Sequence, residues 1–249
     1  MVEPDAPVLS PGALPRLRVA AFLLVLGGVV AWDAVAPHLS EIPGWPEVLI
    51  IAFGVLPATL ALIYLALPLW SHRRLVAACL VVFLVAAVVT WRADAHLASN
   101  FLKLAAYTCG GWMFLWLFEE LAWVVLIAVI IPFVDTLSVA AGPTHTIVNH
   151  HFEVYSAVAV AFVAPGGRAA GLGPPDILFF ALFLAATVRW GLRPGWTWLA
   201  MTGMYSLTLV LANATDVSGL PALPFVSAGF LLANGDLLWR RLRPRATSS

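Results

Sequence analysis

The sequence predicts an all-α membrane protein, a polytopic bundle of about eight transmembrane helices. Three observations predict this class: 62% of the 249 residues are hydrophobic, only 10% are charged, and long apolar stretches recur along the chain. Soluble domains are nearer half apolar and a quarter charged, so the excess apolar surface must face lipid. Thirteen basic and thirteen acidic residues cancel, which argues against a nucleic-acid partner and leaves the lipid bilayer as the expected surroundings.

The first half of the chain contains four expected spans. Residues 1–15 are rich in proline and lack periodicity, so we expect a disordered cytoplasmic tail. Residues 16–119 form an expected N-terminal four-helix transmembrane region. Its first three spans lie at about 17–36, 48–70 and 75–91, and a polar connection at 92–100 precedes the fourth.

Residues 101–141 are almost uninterrupted in their apolar character. A helix of that length would extend for about 60 Å, because each residue adds ~1.5 Å. The hydrocarbon core of a bilayer is only ~30 Å thick. We therefore expect two spans here, with a turn at Glu119-Glu120, and Asp135 near the far end of the second.

The connection at 142–170 separates this pair from the last spans. It is polar at first and then apolar over 155–164, a stretch too short to cross, which indicates a re-entrant or interfacial segment. The remaining spans are expected at about 174–190, 196–213 and 221–239. Residues 240–249 form an expected basic cytoplasmic tail.

The basic residues orient these eight spans. With the N-terminus inside, ten of the thirteen basic residues fall in cytoplasmic segments, and Arg92, Lys103 and Arg168 fall outside. The positive-inside rule therefore predicts that both termini are cytoplasmic. We expect an integral protein of a prokaryotic plasma membrane.

Asp135 and Asp176 stand out because carboxylates inside a bilayer are costly and mark functional sites. Two carboxyl groups within hydrogen-bonding distance share one proton. The ionised member can then take a proton from water while the protonated member donates to a peptide carbonyl, as in aspartic proteases. We interpret Asp135 and Asp176 as a candidate catalytic pair for peptide hydrolysis.

A Pro-Ala-Leu-Pro sequence at 221–224 opens the last expected span. Proline has no backbone N–H and interrupts regular pairing, so backbone groups near this sequence are left free. An unwound backbone of this kind could pair with an extended substrate strand, as in β-strand addition. We therefore expect Pro221, Ala222, Leu223 and Pro224 to contribute to substrate binding.

Helix geometry predicts that these features lie at similar depth. Asp135 is sixteen residues beyond Glu119, which corresponds to ~24 Å above the cytoplasmic boundary. Asp176 is thirteen residues before Arg189, which corresponds to ~20 Å. Both aspartates are thus expected in the outer half of the membrane, beside the Pro-Ala-Leu-Pro sequence.

These motifs resemble those of the GxGD-type intramembrane aspartyl proteases, the family of presenilin and signal peptide peptidase. Val134-Asp135, followed by Gly142-Pro143, is similar to the first aspartate motif of the family. Gly171-Leu172-Gly173-Pro174-Pro175-Asp176 resembles its Gly-x-Gly-Asp motif, and 221–224 resembles its Pro-Ala-Leu motif. The resemblance covers 120–239, a presenilin-like catalytic transmembrane region, and does not extend into 1–119.

The chain departs from the family pattern at two motifs. Val134 replaces the tyrosine of the family, and Pro174-Pro175 separates Gly173 from Asp176, whereas the glycine of the family directly precedes its aspartate. Because proline suits the first turn of a helix, we expect Asp176 to lie in the first turn of its span. The chain also has one expected span fewer than the nine of the family.

The resemblance implies an intramembrane endopeptidase with Asp135 and Asp176 as catalytic residues. It implies that Gly171, Leu172, Gly173 and residues 221–224 bind the substrate, a single-span membrane protein or a signal peptide. It implies no cofactor, and no His-Glu-x-x-His motif points to a metal.

Two other functions remain open. In a proton-coupled transporter, Asp135 and Asp176 would carry protons, although no internal repeat relates the two halves of the chain. In a catalytically inactive member of the fold, the same region would bind transmembrane helices. A single aspartate at a helix end can also serve simply as a cap, which is the alternative interpretation of Asp176.

Overall fold

The computed structural model describes residues 13–141, 155, 157–215 and 220–242. In this part of the chain the fold is a bundle of helices with one two-stranded hairpin, β1 (Val160–Val163) and β2 (Ala169–Leu172). The helices, numbered α1 to α9 in chain order, are Ala13–Val35, Trp45–Ile50, Leu56–Ala66, Arg73–Arg92, His96–Leu115, Leu121–Ala141, Pro174–Arg189, Pro194–Ala214 and Leu223–Leu242. A π-helical turn, Ile51–Val55, joins α2 to α3 without a break.

Four helical stretches of the described chain are long and apolar enough to cross a membrane. They are Pro15–His38, Trp45–Ser71, Arg73–Arg92 and Leu121–Ser138. Their length and composition agree with the predicted class, a helical integral membrane protein. The expected break within 101–141 is also present, because α5 ends at Leu115 and α6 begins at Leu121.

Helix α7 is the centre of the bundle. Every side chain from Phe180 to Thr187 is buried, and α5, α6, α8 and α9 all pack against this helix. Gly111 allows α5 to approach closely, because a Cβ atom at that position would overlap the carbonyl oxygen of Leu178 on α7. The helix that begins beside Asp176 is therefore held on several sides by protein.

Strand β1, Val160–Val163, lies within the expected re-entrant or interfacial segment at 155–164. Strands β1 and β2 are antiparallel, with Val160 opposite Leu172 and Val163 opposite Ala169. Gly166 and Gly167 have φ angles of +85° and +82° in the connecting turn, a conformation that favours glycine. The fold is predominantly helical, in agreement with the predicted all-α class, and carries one short hairpin where the chain reverses at these glycines.

The expected polar connection at 92–100 is also shorter than predicted. Helix α5 begins at His96, so Asn100 and Lys103 lie inside a helix and are only 8% and 6% exposed. These side chains can be buried because backbone groups of Ala157, Ala159 and Ala161, in and just before β1, supply their hydrogen-bond partners. The polar stretch at 142–154 and residues 1–12 and 243–249 of the expected tails lie outside the described residues.

Candidate active site

Asp135 contacts the Pro-Ala-Leu-Pro sequence directly. It is half-buried on α6, and its Oδ2 atom accepts a hydrogen bond of 3.1 Å from the backbone N–H of Leu223, the first residue of α9. The two residues are 88 positions apart in sequence, and they meet because α6 packs along α9. The structure therefore brings two of the predicted motifs into one site.

The start of α9 explains why this N–H is available. The first N–H groups of a helix have no partner within the helix. Phe225 and Val226 both donate to the carbonyl of Ala222, and Pro224 has no N–H. Leu223 is left with a free donor, and the Asp135 carboxylate from another helix accepts its hydrogen bond.

Asp176 lies in the first turn of α7, as expected from the two prolines before it. Pro174 and Pro175 are the first residues of the helix, and Gly173 caps it in an extended conformation. The Oδ2 atom of Asp176 accepts a hydrogen bond of 2.9 Å from the backbone N–H of Gly173. The side chain therefore does cap its own helix, and this role occupies one of its two oxygens.

The two aspartates lie on helices that pack together. Helix α6, which carries Asp135, and helix α9, which donates a hydrogen bond to that residue, both pack against α7, whose first turn carries Asp176. The Tyr205 hydroxyl donates a 2.8 Å hydrogen bond to the backbone carbonyl of Asp176, and its ring stacks on Phe180. In the described part of the chain, neither Asp135 nor Asp176 uses its Oδ1 atom in a hydrogen bond.

The hairpin leads directly into this site, because β2 ends one residue before Gly173. In antiparallel pairs, hydrogen-bonded residues alternate with residues whose backbone groups point outward. Ala164 donates to the carbonyl of Arg168, so these two residues are a hydrogen-bonded pair. The backbone N–H and C=O groups of the next pair, Val163 and Ala169, therefore point outward. The same holds for Ala161 and Gly171, two residues further along the strands. Each strand therefore has an outer edge of backbone donors and acceptors.

Side chains from α1 and α5 occupy the outer edge of β1. The Asn100 side chain accepts from the N–H of Ala161 and donates to its carbonyl, both at 2.8 Å. Trp32 donates to the carbonyl of Val163 at 2.8 Å. Lys103 donates to the carbonyl of Ala159 at 2.6 Å. These three side chains stand where a neighbouring strand would otherwise pair.

The outer edge of β2 is less occupied. The described residues place no strand beside it, and Gly171 is exposed. The Tyr155 hydroxyl donates to the carbonyl of Gly171 at 2.9 Å. Burial and the nearby charge of Asp176 raise the pKa of Tyr155 to about 12, so this hydroxyl keeps its proton at neutral pH. Of the predicted substrate-binding residues, Gly171 lies on this outer edge, Leu172 pairs with Val160, and Gly173 caps α7 beside Asp176.

Sequence reasoning missed four residues that shape this region: Asn100, Lys103, Tyr155 and Tyr205. One available signal was the spacing of Asn100 and Lys103, since residues three apart share a helix face and polar side chains in an apolar run indicate a special role. No local signal identifies Tyr155 or Tyr205, because their partners are backbone carbonyls distant in sequence.

Comparison of the chain with protein-family models, with curated proteins and with solved structures gave no match.

Proposed function

We propose that this protein is an intramembrane aspartyl protease of presenilin-like organisation, with eight spans and both termini in the cytoplasm. In this proposal Asp135 and Asp176 are the catalytic pair. The substrate is the transmembrane segment of a single-span protein or a signal peptide.

The observation that carries the proposal is the hydrogen bond from Leu223 to Asp135, together with the packing of α6 and α9 against α7, whose first turn carries Asp176. The helices that carry the three motifs thus pack together, which supports a shared site. A helix cap alone would account for Asp176, but it would not require a second carboxylate nearby.

The proposed reaction uses one ionised and one protonated carboxyl group. The ionised aspartate takes a proton from water as the water oxygen attacks the peptide carbonyl carbon, and the protonated aspartate donates its proton to the carbonyl oxygen. The resulting diol collapses when the C–N bond breaks, and the leaving nitrogen takes up a proton. One water is consumed, and a new carboxyl and a new amino terminus are formed.

The outer edge of β2 supports a specific mode of substrate binding. A helical segment must be unfolded before its peptide bonds are accessible, and an extended segment can add to a strand edge through backbone hydrogen bonds. Such a segment would displace the Tyr155 hydroxyl from the carbonyl of Gly171. It would then run along Ala169 and Gly171 towards Gly173 and the carboxylate of Asp176. This mode does not depend on substrate sequence, in keeping with a protease for varied apolar segments.

The test is cleavage of a single-span reporter by the purified protein in lipid vesicles. We expect Asp135→Asn and Asp176→Asn each to abolish cleavage, because each removes one member of the pair. Asp236→Asn is the matched control, since Asp236 is exposed near the other end of α9 and forms an ion pair with Arg193. This variant should cleave normally.

Cleavage that persists after either substitution in the pair would contradict the proposal. The same vesicles distinguish the transporter alternative when they carry a pH-sensitive dye. Proton flux that depends on Asp135 and Asp176, in the absence of cleavage, would assign the pair to transport.

A further inference from the structure

A second feature, on the side of the bundle formed by α1, α3, α4 and α5, is unrelated to the aspartates. These helices line a cavity of about 350 Å³ that is open on one side. Its walls include Phe22, Leu62, Cys79, Phe83, Ala105 and Trp112. Close-packed protein interiors leave few voids larger than one water, so a space of this size between membrane helices requires an occupant.

The chemistry of the walls favours an apolar occupant over water. The lining is almost wholly apolar, and the hydroxyl of Thr108 already donates to the carbonyl of Leu104 at 2.7 Å. A buried water needs two to four polar partners, and besides this hydroxyl the side chains of the lining offer only the indole N–H of Trp112 and two thiols. The abundant apolar molecule around a membrane-spanning bundle is the acyl chain of a lipid.

The rim of the cavity supplies a second, independent observation. Leu69 and Leu75 belong to the lining, and both are about half exposed, at 47% and 50%. They flank the short turn that carries His72, Arg73 and Arg74, all of which are exposed. The opening to the surroundings therefore lies beside a cluster of basic side chains.

These arginines are available to an anion. Within the described residues, neither Arg73 nor Arg74 forms an ion pair with a carboxylate, and the Arg73 guanidinium lies 5.4 Å from the centre of the Trp116 ring. Arg18, near the same end of the bundle, donates to the backbone carbonyls of Tyr64 and Leu65. Basic pockets between membrane helices commonly bind the phosphate of an anionic lipid.

We infer that this cavity is a binding site for one anionic glycerophospholipid. One acyl chain fills the space between α1, α3, α4 and α5, and the headgroup phosphate lies over Arg73 and Arg74. The apolar cavity recognises the chain, and the basic turn selects an anionic headgroup over a zwitterionic one. The site is separate from the aspartate pair, so this inference does not depend on the proposed protease function.

The experiment is native mass spectrometry of the full chain, delipidated in mild detergent and titrated with phosphatidylglycerol or with phosphatidylcholine of the same acyl chains. We expect one tightly bound phosphatidylglycerol per chain and binding of phosphatidylcholine at least ~10-fold weaker. Arg73→Gln and Arg74→Gln should each reduce this preference, whereas Arg240→Gln, on the exposed surface of α9, should leave it unchanged.

A filling substitution tests the cavity itself. Ala105→Phe places a ring in the space occupied by the acyl chain and should weaken binding of both lipids at least ~10-fold. Val82→Phe is the matched control, because Val82 is 60% exposed on α4 and does not line the cavity. The inference would be overturned if Ala105→Phe and Val82→Phe bound phosphatidylglycerol with equal affinity. It would also be overturned if the unmodified protein bound phosphatidylglycerol and phosphatidylcholine with equal affinity. A dimer that excludes lipid would also overturn it, because a second chain would then cover the site.

A labelling measurement keeps the test valid if Ala105→Phe does not fold. Both cysteines are free thiols that line the cavity, so replacing Cys109 with alanine leaves Cys79 as a single reporter. Phosphatidylglycerol should slow the reaction of Cys79 with a membrane-permeant maleimide, and phosphatidylcholine should slow it less. Identical rates with and without phosphatidylglycerol would show that no lipid occupies the cavity.

Discussion

The side-chain amide of Asn100 forms two hydrogen bonds with one residue, Ala161, accepting from its N–H and donating to its carbonyl, both at 2.8 Å. A side chain from a buried helix thus pairs with β1 as the backbone of a neighbouring strand would. It occupies one edge of the hairpin, whereas the edge that leads to Asp176 carries a hydrogen bond from the Tyr155 hydroxyl to the carbonyl of Gly171.

Replacing Asn100 with leucine should loosen the hairpin. The substitution keeps the size of the side chain but leaves two backbone groups of Ala161 unpaired, each at a cost of about 1–3 kcal/mol. Hydrogen exchange followed by mass spectrometry should show faster exchange in peptides that cover 158–173. Thr90→Val is the control, because the Thr90 hydroxyl bonds only to carbonyls of its own helix. Unchanged exchange in Asn100→Leu would contradict the role of Asn100.

Replacing Leu223 with proline should impair the proposed protease activity. The substitution removes the N–H that donates to Asp135, while proline remains acceptable at the first position of a helix. Hydrogen bonds to charged groups contribute about 1.5–3 kcal/mol, so cleavage of the reporter should fall roughly tenfold or more. Leu223→Ala shortens the same side chain but keeps the N–H. If the alanine variant loses as much activity as the proline variant, the hydrogen bond is not the reason.

Replacing Tyr205 with phenylalanine should destabilise the start of α7. The ring would still stack on Phe180, but the hydrogen bond to the carbonyl of Asp176 would be lost. We expect a decrease of about 1 kcal/mol in the free energy of unfolding, measured by denaturant titration in detergent. Tyr64→Phe should have little effect, because the Tyr64 hydroxyl forms no hydrogen bond with the described residues. If Tyr205→Phe and Tyr64→Phe lose the same amount of unfolding free energy, the hydrogen bond from Tyr205 to Asp176 does not stabilise the start of α7.

Alanine substitutions at two adjacent glycines on α5 should affect the stability of the protein differently. A methyl group at Gly111 would overlap the carbonyl of Leu178 and lie 3.0 Å from the Cβ of Ala181, so Gly111→Ala should separate α5 from α7. Overpacking of this kind costs about 1–3 kcal/mol and should lower the unfolding temperature. A methyl group at Gly110 meets nothing closer than 3.9 Å, and alanine favours the helix, so Gly110→Ala should be neutral or stabilising. Similar melting temperatures for the two variants would show that this contact does not limit helix packing.

Much of the architecture could be predicted from local sequence. The helix break between Leu115 and Leu121 follows from the length limit of a membrane span, and the position of Asp176 in the first turn of α7 follows from the two prolines before it. The hairpin could not be predicted, because its strands are only four residues long and apolar. A short run of that kind does not distinguish a strand from a buried helix.

The sequence by itself determined that the chain is an apolar, helical membrane protein and that Asp135, Asp176 and residues 221–224 are unusual within it. Those conclusions depend on composition and on the energetic cost of charge in lipid, and both can be evaluated from short stretches of sequence. The tertiary structure alone decided that Leu223 bonds to Asp135, that Asn100 covers β1, and that a cavity opens beside Arg73 and Arg74. Each of these contacts joins residues that are distant in sequence or lie on different helices, and helix packing rather than local pattern brings them together.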